Sequence, residues 1–459
     1  MDLRYWLPRA VDVVERFGER FGPFTAHPSH QVDDAAFAPV FERFAKRLDD
    51  NYPFFHPVYA GQMVKPPHPA AVVGYATAML FNPNNHAAEG GPATTEMERE
   101  CVAALGAMFG LVRPLGHLTT SGTMANLEAL YVARQSHPGR GVAYSSESHY
   151  THERMCHVLG MEGHRVPADG EGRIELEALE RLLATGRVGT VVVTLGTTGL
   201  GAVDAVHEVL PMARRHGARV HVDAAYGGFY ALLGRSERPE GLDVRPWRAV
   251  AECDSVVVDP HKHGLQPYGC GAVLFNDPGA GRHFAHDSPY TYFTQAEQHL
   301  GEISLECSRA GAAAAGLWLT LQLLPLSRDG FGEMLAASRR AALGWADLLD
   351  ASEVLELYQR PDLDIVTYVP AVRPMSLAAA DAACERMLHE GMYAAEDPVF
   401  LSVLRADADA FARRLPHVVR DAGAARVMRS VLIKPEAELH LDRLHARVEQ
   451  LAALAAGGQ

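Results

Sequence analysis

The sequence predicts an α/β protein: a large domain on a mostly parallel sheet flanked by helices, then a small C-terminal α+β domain. Three observations predict it. Between residues 100 and 280, short β-branched runs alternate with helical runs, as expected for strands joined by crossover helices. Beyond residue 330, strand-like runs are few and lie among long helices. The chain has 459 residues, 48% hydrophobic and 21% charged, enough for two or three domains with ordinary cores.

In chain order, residues 1–60 read as an N-terminal helical segment. VDVVERFGERF and FAPVFERFAKRLDD are amphipathic, carry aromatic anchors and have no evident home in the large domain, which suggests a subunit interface. Residues 56–100 are rich in Pro, Asn and His and read as irregular chain around one apolar helix, AAVVGYATAMLF. A loop-like stretch of that length inside a compact protein is usually functional. The large domain is assigned to 61–330, with strands GVAYSS, GTVVVTL, ARVHVDAA, DSVVVDP and GAVLFN and helices such as MANLEALYVARQ and DAVHEVLPMARRHG. The Ala- and Leu-rich runs AGAAAAGLWLTLQLL and EMLAASRRAALGWADLLD read as long helices around the boundary. The small domain is assigned to 331–459, where LDIVTYVP and RVMRSVLIK read as strands and LAALAAGG as a frayed helix end.

Composition narrows the function. A formal net charge of −14 argues against nucleic acid or an anionic membrane as partner, since both need a basic face. The six cysteines are scattered without a CxxC pair, so neither a disulfide framework nor a thiolate zinc site is expected. The N-terminus lacks the apolar core of a signal peptide, and no run approaches the roughly 18 apolar residues of a membrane helix. A cytoplasmic location is the expectation.

Three loops at expected strand ends carry chemistry, and open α/β sheets bind ligands beyond the carboxyl ends of their strands. In HLTTSGTMANLEAL, Ser121, Gly122 and Thr123 precede a helix, where free N–H groups and hydroxyls make a phosphate cradle or, more plainly, an N-cap. In HVDAAYGGFY, Asp223 ends an alternating strand; buried there it needs a cation such as a protonated pyridine nitrogen, unless it caps the next helix. In SVVVDPHKHGLQPYGCGAVLF, Lys262 stands between two histidines. Partial desolvation beside positive groups lowers a lysine pKa and suits Schiff-base chemistry, whereas an exposed loop lysine is the bland alternative.

Together these loops resemble the pyridoxal-phosphate-dependent amino-acid decarboxylases of fold type I (group II). That family includes glutamate, aromatic-amino-acid and archaeal tyrosine/aspartate decarboxylases, and sphingosine-phosphate lyase is a near relative. From about residue 50 to 325, TSGTMAN resembles the phosphate-binding turn and YSSESHYTHER the stacking-histidine segment. TLGTT resembles the post-strand threonine turn, HVDAAYGG the pyridine-binding aspartate motif, and DPHKHG the Schiff-base lysine motif. The resemblance implies pyridoxal 5′-phosphate joined to Lys262, its ring nitrogen on Asp223, His149 stacked on one ring face and Ala225 packed against the ring. It also implies a phosphate held by Ser121, Gly122 and Thr123 with help from His261, and Thr198 at the 3′ oxygen, with Thr197 a rival. His149, His152, Glu153 and His157 imitate a metal site by spacing, but HExxH is absent and no metal is expected.

The resemblance further implies a homodimer with active sites at the subunit interface, a small amino-acid substrate and a tyrosine that protonates Cα. Tyr292 is preferred over Tyr290 for that role. The reaction implied is α-decarboxylation of an aromatic or acidic L-amino acid. An aminotransferase, or a C–C aldehyde lyase of the sphingosine-phosphate lyase type, is the alternative. His263 departs from the aromatic or Met common after the lysine, and Arg309 and Arg429 are candidates for carboxylate or phosphate contacts. Tyr52, Phe54, Phe55 and Tyr59 would line an aromatic substrate's pocket or pack between subunits.

Overall fold

The computed structural model describes residues 1–235, 241–285 and 300–457. Its centre is a seven-stranded sheet of β1 (Leu115–Thr119), β2 (Gly141–Ser145), β3 (Gly163–Val166), β4 (Val188–Thr194), β5 (Arg219–Asp223), β6 (Ser255–Val258) and β7 (Gly271–Phe275), ordered β1-β7-β6-β5-β4-β2-β3. Neighbours pair in parallel from β3 through β6, and only β7 runs antiparallel to those beside it. Every residue of β4 (VGTVVVT) and of β6 (SVVV) is buried, because a parallel sheet is covered on both faces and its strands become continuous apolar runs.

The period of two divides the two faces. Val191 and Val193 of β4 and Val220 and Val222 of β5 enter the main core, while Val192 packs with Leu130, Tyr144 and Met155 on the other side. In β5 the same alternation sends His221 and Asp223 to that other side, under two helices of the large domain. This register is what makes a polar site beneath them.

Four helices precede the first crossover: α1 (Leu3–Glu19), α2 (Asp34–Leu48), α3 (Pro69–Phe81) and α4 (Pro92–Phe109). Helix α4 corrects the irregular reading of 56–100. Pro92 opens it at the first turn, Gly110 closes it at φ +80°, and Cys101, Val102, Leu105 and Phe109 are buried. The sheet helices that matter for the site are α5 (Gly122–Ser136) and α6 (Thr151–Leu159).

A second, four-stranded antiparallel sheet holds β8 (Leu355–Gln359), β9 (Ile365–Pro370), β10 (Ser402–Asp407) and β11 (Ala424–Val431), ordered β10-β11-β9-β8. Its core includes the fully buried Trp345 and Tyr368. Residues 58–61 join it: Ala60 N–H donates to Phe400 O, and Val431 N–H donates to Ala60 O. The final helix Ala437–Gly457 is not frayed where LAALAAGG begins, since Leu451, Ala452 and Ala455 are buried in the core beside this second sheet.

Helix α1 lies on α3, with Phe17 edge-on to Phe81. Helix α2 buries no residue at all. Its Phe37, Val40, Phe41, Phe44 and Leu48 are exposed, as are Tyr5, Trp6, Phe21 and Phe24 around α1. Two amphipathic helices thus present apolar faces to solvent.

Candidate active site

The carboxyl ends of β4, β5 and β6 and the N-terminus of α5 surround one cavity of about 230 Å³, where open α/β sheets place ligands. Ser121, Gly122, Thr123, His149, Thr198, Asp223, Ala225, His261 and Lys262 all line it. The three loops singled out in the sequence are therefore adjacent in space.

Asp223 ends β5 at 5% exposure. Its Oδ2 accepts from His152 Nε2 at 2.8 Å and its Oδ1 accepts from the Ala225 backbone N–H at 3.2 Å. Burial alone would raise this carboxyl. Burial is the largest single influence, but the His152 hydrogen bond, the charge of that ring, Lys262 and His221 together outweigh it, and Asp223 is held well below the usual carboxylate range. It is an anion facing the cavity.

Lys262 follows β6 in a turn and stays partly accessible. Its Nζ lies 3.0 Å from Asp259 Oδ2. His261 donates from Nδ1 to the Cys270 carbonyl at 2.8 Å, which leaves Nε2 as the acceptor in the neutral ring. Burial lowers the His261 pKa, with Lys262 adding to it and Asp259 opposing. His263, by contrast, turns away from the cavity. It is 2% exposed against Tyr226 and Tyr230, with Nε2 3.4 Å from Asp364 Oδ2.

At the other end, Ser121 is an extended N-cap whose Oγ accepts from Met124 N–H at 3.3 Å. The cap and the cavity wall are thus the same residue. The first-turn amides of α5 have no intrahelical acceptor, so they and the helix dipole favour an anion there. Gly122 leaves little space: a Cβ on it would meet Asp259 Oδ2 at 2.5 Å, so that carboxylate would have to shift.

His149 precedes α6 and lies tilted against Tyr150, ring centroids 4.3 Å apart. The Thr151 amide donates to its Nδ1 at 3.2 Å, so its proton belongs on Nε2 in the neutral form. Burial lowers the His149 pKa despite the nearby Asp223. One turn on, His152 points inward to Asp223, whereas Glu153 and His157 are exposed, so the metal-like spacing does not become a ligand cluster. Thr198 lines the cavity, but Thr197 is fully buried and its Oγ1 accepts from Ala202 N–H at 3.0 Å.

Several expected residues lie elsewhere. Arg309 is buried against Glu98, 3.0 Å away. Arg429 binds the Gly199 and Gly61 carbonyls and Ser402 Oγ, each at 3.2 Å; neither arginine lines the cavity. Tyr52, Phe54 and Tyr59 cluster with one another and, through Tyr52 and Tyr59, with Phe400 just before β10, while Phe55 is exposed. Tyr290 and Tyr292 lie outside the described residues. Sequence reasoning treated His152 as structural and did not mention Asp204. Asp204 pins the end of β4 by accepting the Thr194 and Ile174 amides, each at 2.7 Å.

The donor set fits pyridoxal phosphate. A carboxylate anion faces the cavity for a ring cation, an amine stands on its wall for an aldehyde carbon, and a helix N-terminus with two hydroxyl residues suits a phosphate. At Gly122 the lack of a Cβ leaves the Asp259 carboxylate in place beside the cradle.

Comparison with known proteins agrees with this geometry. Residues 63–369 match the pyridoxal-dependent decarboxylase conserved domain. An L-tyrosine decarboxylase of Enterococcus faecium is 26% identical, covering 84% of this chain and 80% of that protein. A probable L-aspartate decarboxylase of Halobacterium salinarum is 31% identical over 70% of this chain and 88% of its own length. Among solved structures, mouse CSAD superposes with a TM-score of 0.78 at 21% identity, covering 93% of this chain and 92% of that one. Oryza sativa TDC with PLP and tryptamine gives 0.78 at 18% identity, covering 99% and 98%. At such identities these two structures speak for the fold.

Proposed function

This chain belongs to the pyridoxal-dependent decarboxylase family, and from that premise we propose that Lys262, Asp223 and the α5 N-terminus hold pyridoxal phosphate for α-decarboxylation of an aromatic or acidic L-amino acid. The observation that carries the assignment is the single cavity lined by an amine, a buried carboxylate anion and a helix N-terminus. The substrate class draws on the relatives, which are named as tyrosine and aspartate decarboxylases.

When bound, the cofactor supplies an electrophilic carbon for an amine and a cationic ring that draws in the electrons of the bond broken at Cα. The protein does the rest. Lys262 would provide the amine that holds the cofactor. Asp223, an anion facing the cavity, would favour a proton on the ring nitrogen. The α5 N-terminus with Ser121, Gly122 and Thr123, aided by His261, would hold the phosphate, and Thr198 on the same cavity wall would serve the ring's 3′ oxygen. His149 would cover one ring face and the small Ala225 would leave room for the ring, so that substrate orientation would select which bond breaks. Tyr292 is assigned to deliver the proton to Cα. The second copy is placed on the exposed apolar faces of α1 and α2, giving a homodimer with its active sites at the interface, which sedimentation would refute by finding a fully active monomer. Among the described residues no helix is long and apolar enough to cross a membrane. The six free cysteines, five of them buried, support a reducing, cytoplasmic setting.

The test is to incubate the purified protein with pyridoxal phosphate and a panel of L-amino acids, following carbon dioxide, amine, keto acid and aldehyde. Amine and carbon dioxide in equal amounts are expected. Keto acid without carbon dioxide would indicate an aminotransferase, and aldehyde a C–C lyase. Borohydride reduction and peptide mapping should mark Lys262; a label on another lysine would refute the assignment.

A further inference from the structure

The carboxylate that faces the cofactor site has a dedicated partner. His152 is completely buried on the inner face of α6, and its Nε2 lies 2.8 Å from Asp223 Oδ2. Its other ring nitrogen, Nδ1, is buried without a hydrogen-bond partner among the described residues. A neutral imidazole here can hold Asp223 only with its proton on Nε2, because the carboxylate accepts and does not donate. Tyr144 packs at a ring-centroid distance of 6.3 Å from His152, and His221 edge-on at 6.5 Å.

The surroundings show that this contact is built. His221, the residue two before Asp223, is tied on both nitrogens, Nδ1 to Ser255 Oγ at 2.8 Å and Nε2 to Asn126 Oδ1 at 2.9 Å. Asn126 in turn donates to the Gly122 carbonyl at 2.8 Å. The charged and titratable groups around Asp223 are His149 and His152 from α6 and its approach, His221 from β5, and Lys262 after β6. Of these, His152 is the one hydrogen-bonded to the carboxylate. With Oδ2 engaged by His152 and Oδ1 by the Ala225 amide, the carboxylate plane is held from two directions.

We propose that His152 is a positioning residue for Asp223: its Nε2–H fixes the carboxylate's orientation and keeps it a weak base, so that a proton shared with the cofactor's pyridine nitrogen stays on the nitrogen. The proposal rests on the cofactor assignment above and deepens it. No bond to carbon is made or broken by His152. It acts through Asp223, as a histidine that orients a carboxylate acts through the group the carboxylate binds.

The experiment compares wild type, His152→Leu and His152→Gln. Gln can place an amide N–H near the lost Nε2–H, whereas Leu fills the space without a donor. Apoproteins are titrated with pyridoxal phosphate labelled with ¹⁵N in the ring. The readouts are the dissociation constant and the ring ¹⁵N chemical shift, neither of which is activity. His152→Leu should bind about tenfold more weakly, with the ring nitrogen shifted toward its unprotonated value, and His152→Gln should restore most of both. Equal behaviour of the two variants, or a Leu variant indistinguishable from wild type, would overturn the proposal. Should either variant not fold, histidine-¹⁵N spectra of the wild-type holoprotein decide it. His152 must carry its proton on Nε2, and a proton on Nδ1 alone refutes the contact. Failure of wild type to bind the cofactor would overturn the cofactor assignment and this inference together, whereas normal wild-type binding with an unaffected Leu variant would overturn this inference alone.

Discussion

Replacing Gly122 by Ala tests the phosphate cradle with one methyl group. Its Cβ would lie 2.5 Å from Asp259 Oδ2 and 2.7 Å from Oδ1, nearly 1 Å inside ordinary contact. Asp259 is 2% exposed and pairs with Lys262 at 3.0 Å, so its carboxylate has no route to solvent and must turn within the site. Overpacking costs about 1–3 kcal/mol. Against that, replacing Gly by Ala at a helical position returns about 0.5–1 kcal/mol. The apoprotein should therefore lose roughly 1–2 kcal/mol of stability.

The larger effect falls on the cofactor. Two unit charges 4 Å apart repel by about 4 kcal/mol at an effective dielectric near 20. A carboxylate driven part of the way toward a bound phosphate would then cost about 1.4–2.8 kcal/mol, a ten- to hundredfold weaker affinity. Urea unfolding of the apoprotein gives the first number and a pyridoxal phosphate titration the second. The control is Asp259→Ala, which removes the atoms the methyl group strikes. In that background Gly122→Ala should change affinity by less than about twofold, because the two substitutions share one contact. If Gly122→Ala binds the cofactor as tightly as wild type, or loses as much affinity with Asp259 as without it, the clash does not govern the cradle and the reasoning fails.

Three further outcomes are expected. Asp223→Asn keeps the shape but not the charge, so pyridoxal phosphate should bind more weakly and most activity should go; activity within a few-fold of wild type at saturating cofactor would count against its role. Tyr292→Phe should lower amine formation by about 10²–10⁴-fold if the hydroxyl is the general acid. Carbon dioxide release should continue and a carbonyl product appear, and an unchanged single-turnover amine yield would redirect attention to Tyr290, since His263 turns away from the cavity. Burial pushes Asp204 up to about 6, against the lowering effect of the Ile174 and Thr194 amides it accepts. The folded state then binds this proton more tightly than the unfolded chain does, so the contribution to stability falls as pH rises between about 4 and 6. Asp204→Asn should flatten that slope and, by setting an NH₂ against an amide N–H, cost about 1–3 kcal/mol at neutral pH; urea midpoints across pH read both, and an unaltered profile would exclude the carboxyl as its source.

How far the site could be read from the sequence follows from the range of the interactions that make it. Lys262 and Asp223 were readable because Asp223 ends one short strand and Lys262 follows another, and a strand end in an α/β sheet is a place in space as well as in sequence. Gly122 was readable as a helix start for the same local reason, whereas its conflict with Asp259 crosses 137 positions and leaves no local mark. Helix α4 was hidden because Pro92 and the two threonines after it resemble loop chemistry, although proline at a first turn is also a helix opening. Asp204 was missed because its two partners are backbone amides, which every sequence possesses. His152 is the instructive case. Its spacing from His149 and Glu153 invited a metal reading, and its actual partner lies 71 residues away on β5. Two periods must coincide to bring them together: the helical turn that carries His152 inward from His149, and the strand alternation that puts Asp223 on the face beneath α6. Either period alone is visible in the sequence, but their phase relation is set by how α6 packs over the sheet, through Met155 and Cys156 against Val142 and Val192. The electrostatics of the cofactor-facing carboxylate thus depend on apolar packing one turn further along the same helix, so loosening that packing should weaken the His152–Asp223 contact without touching a polar atom.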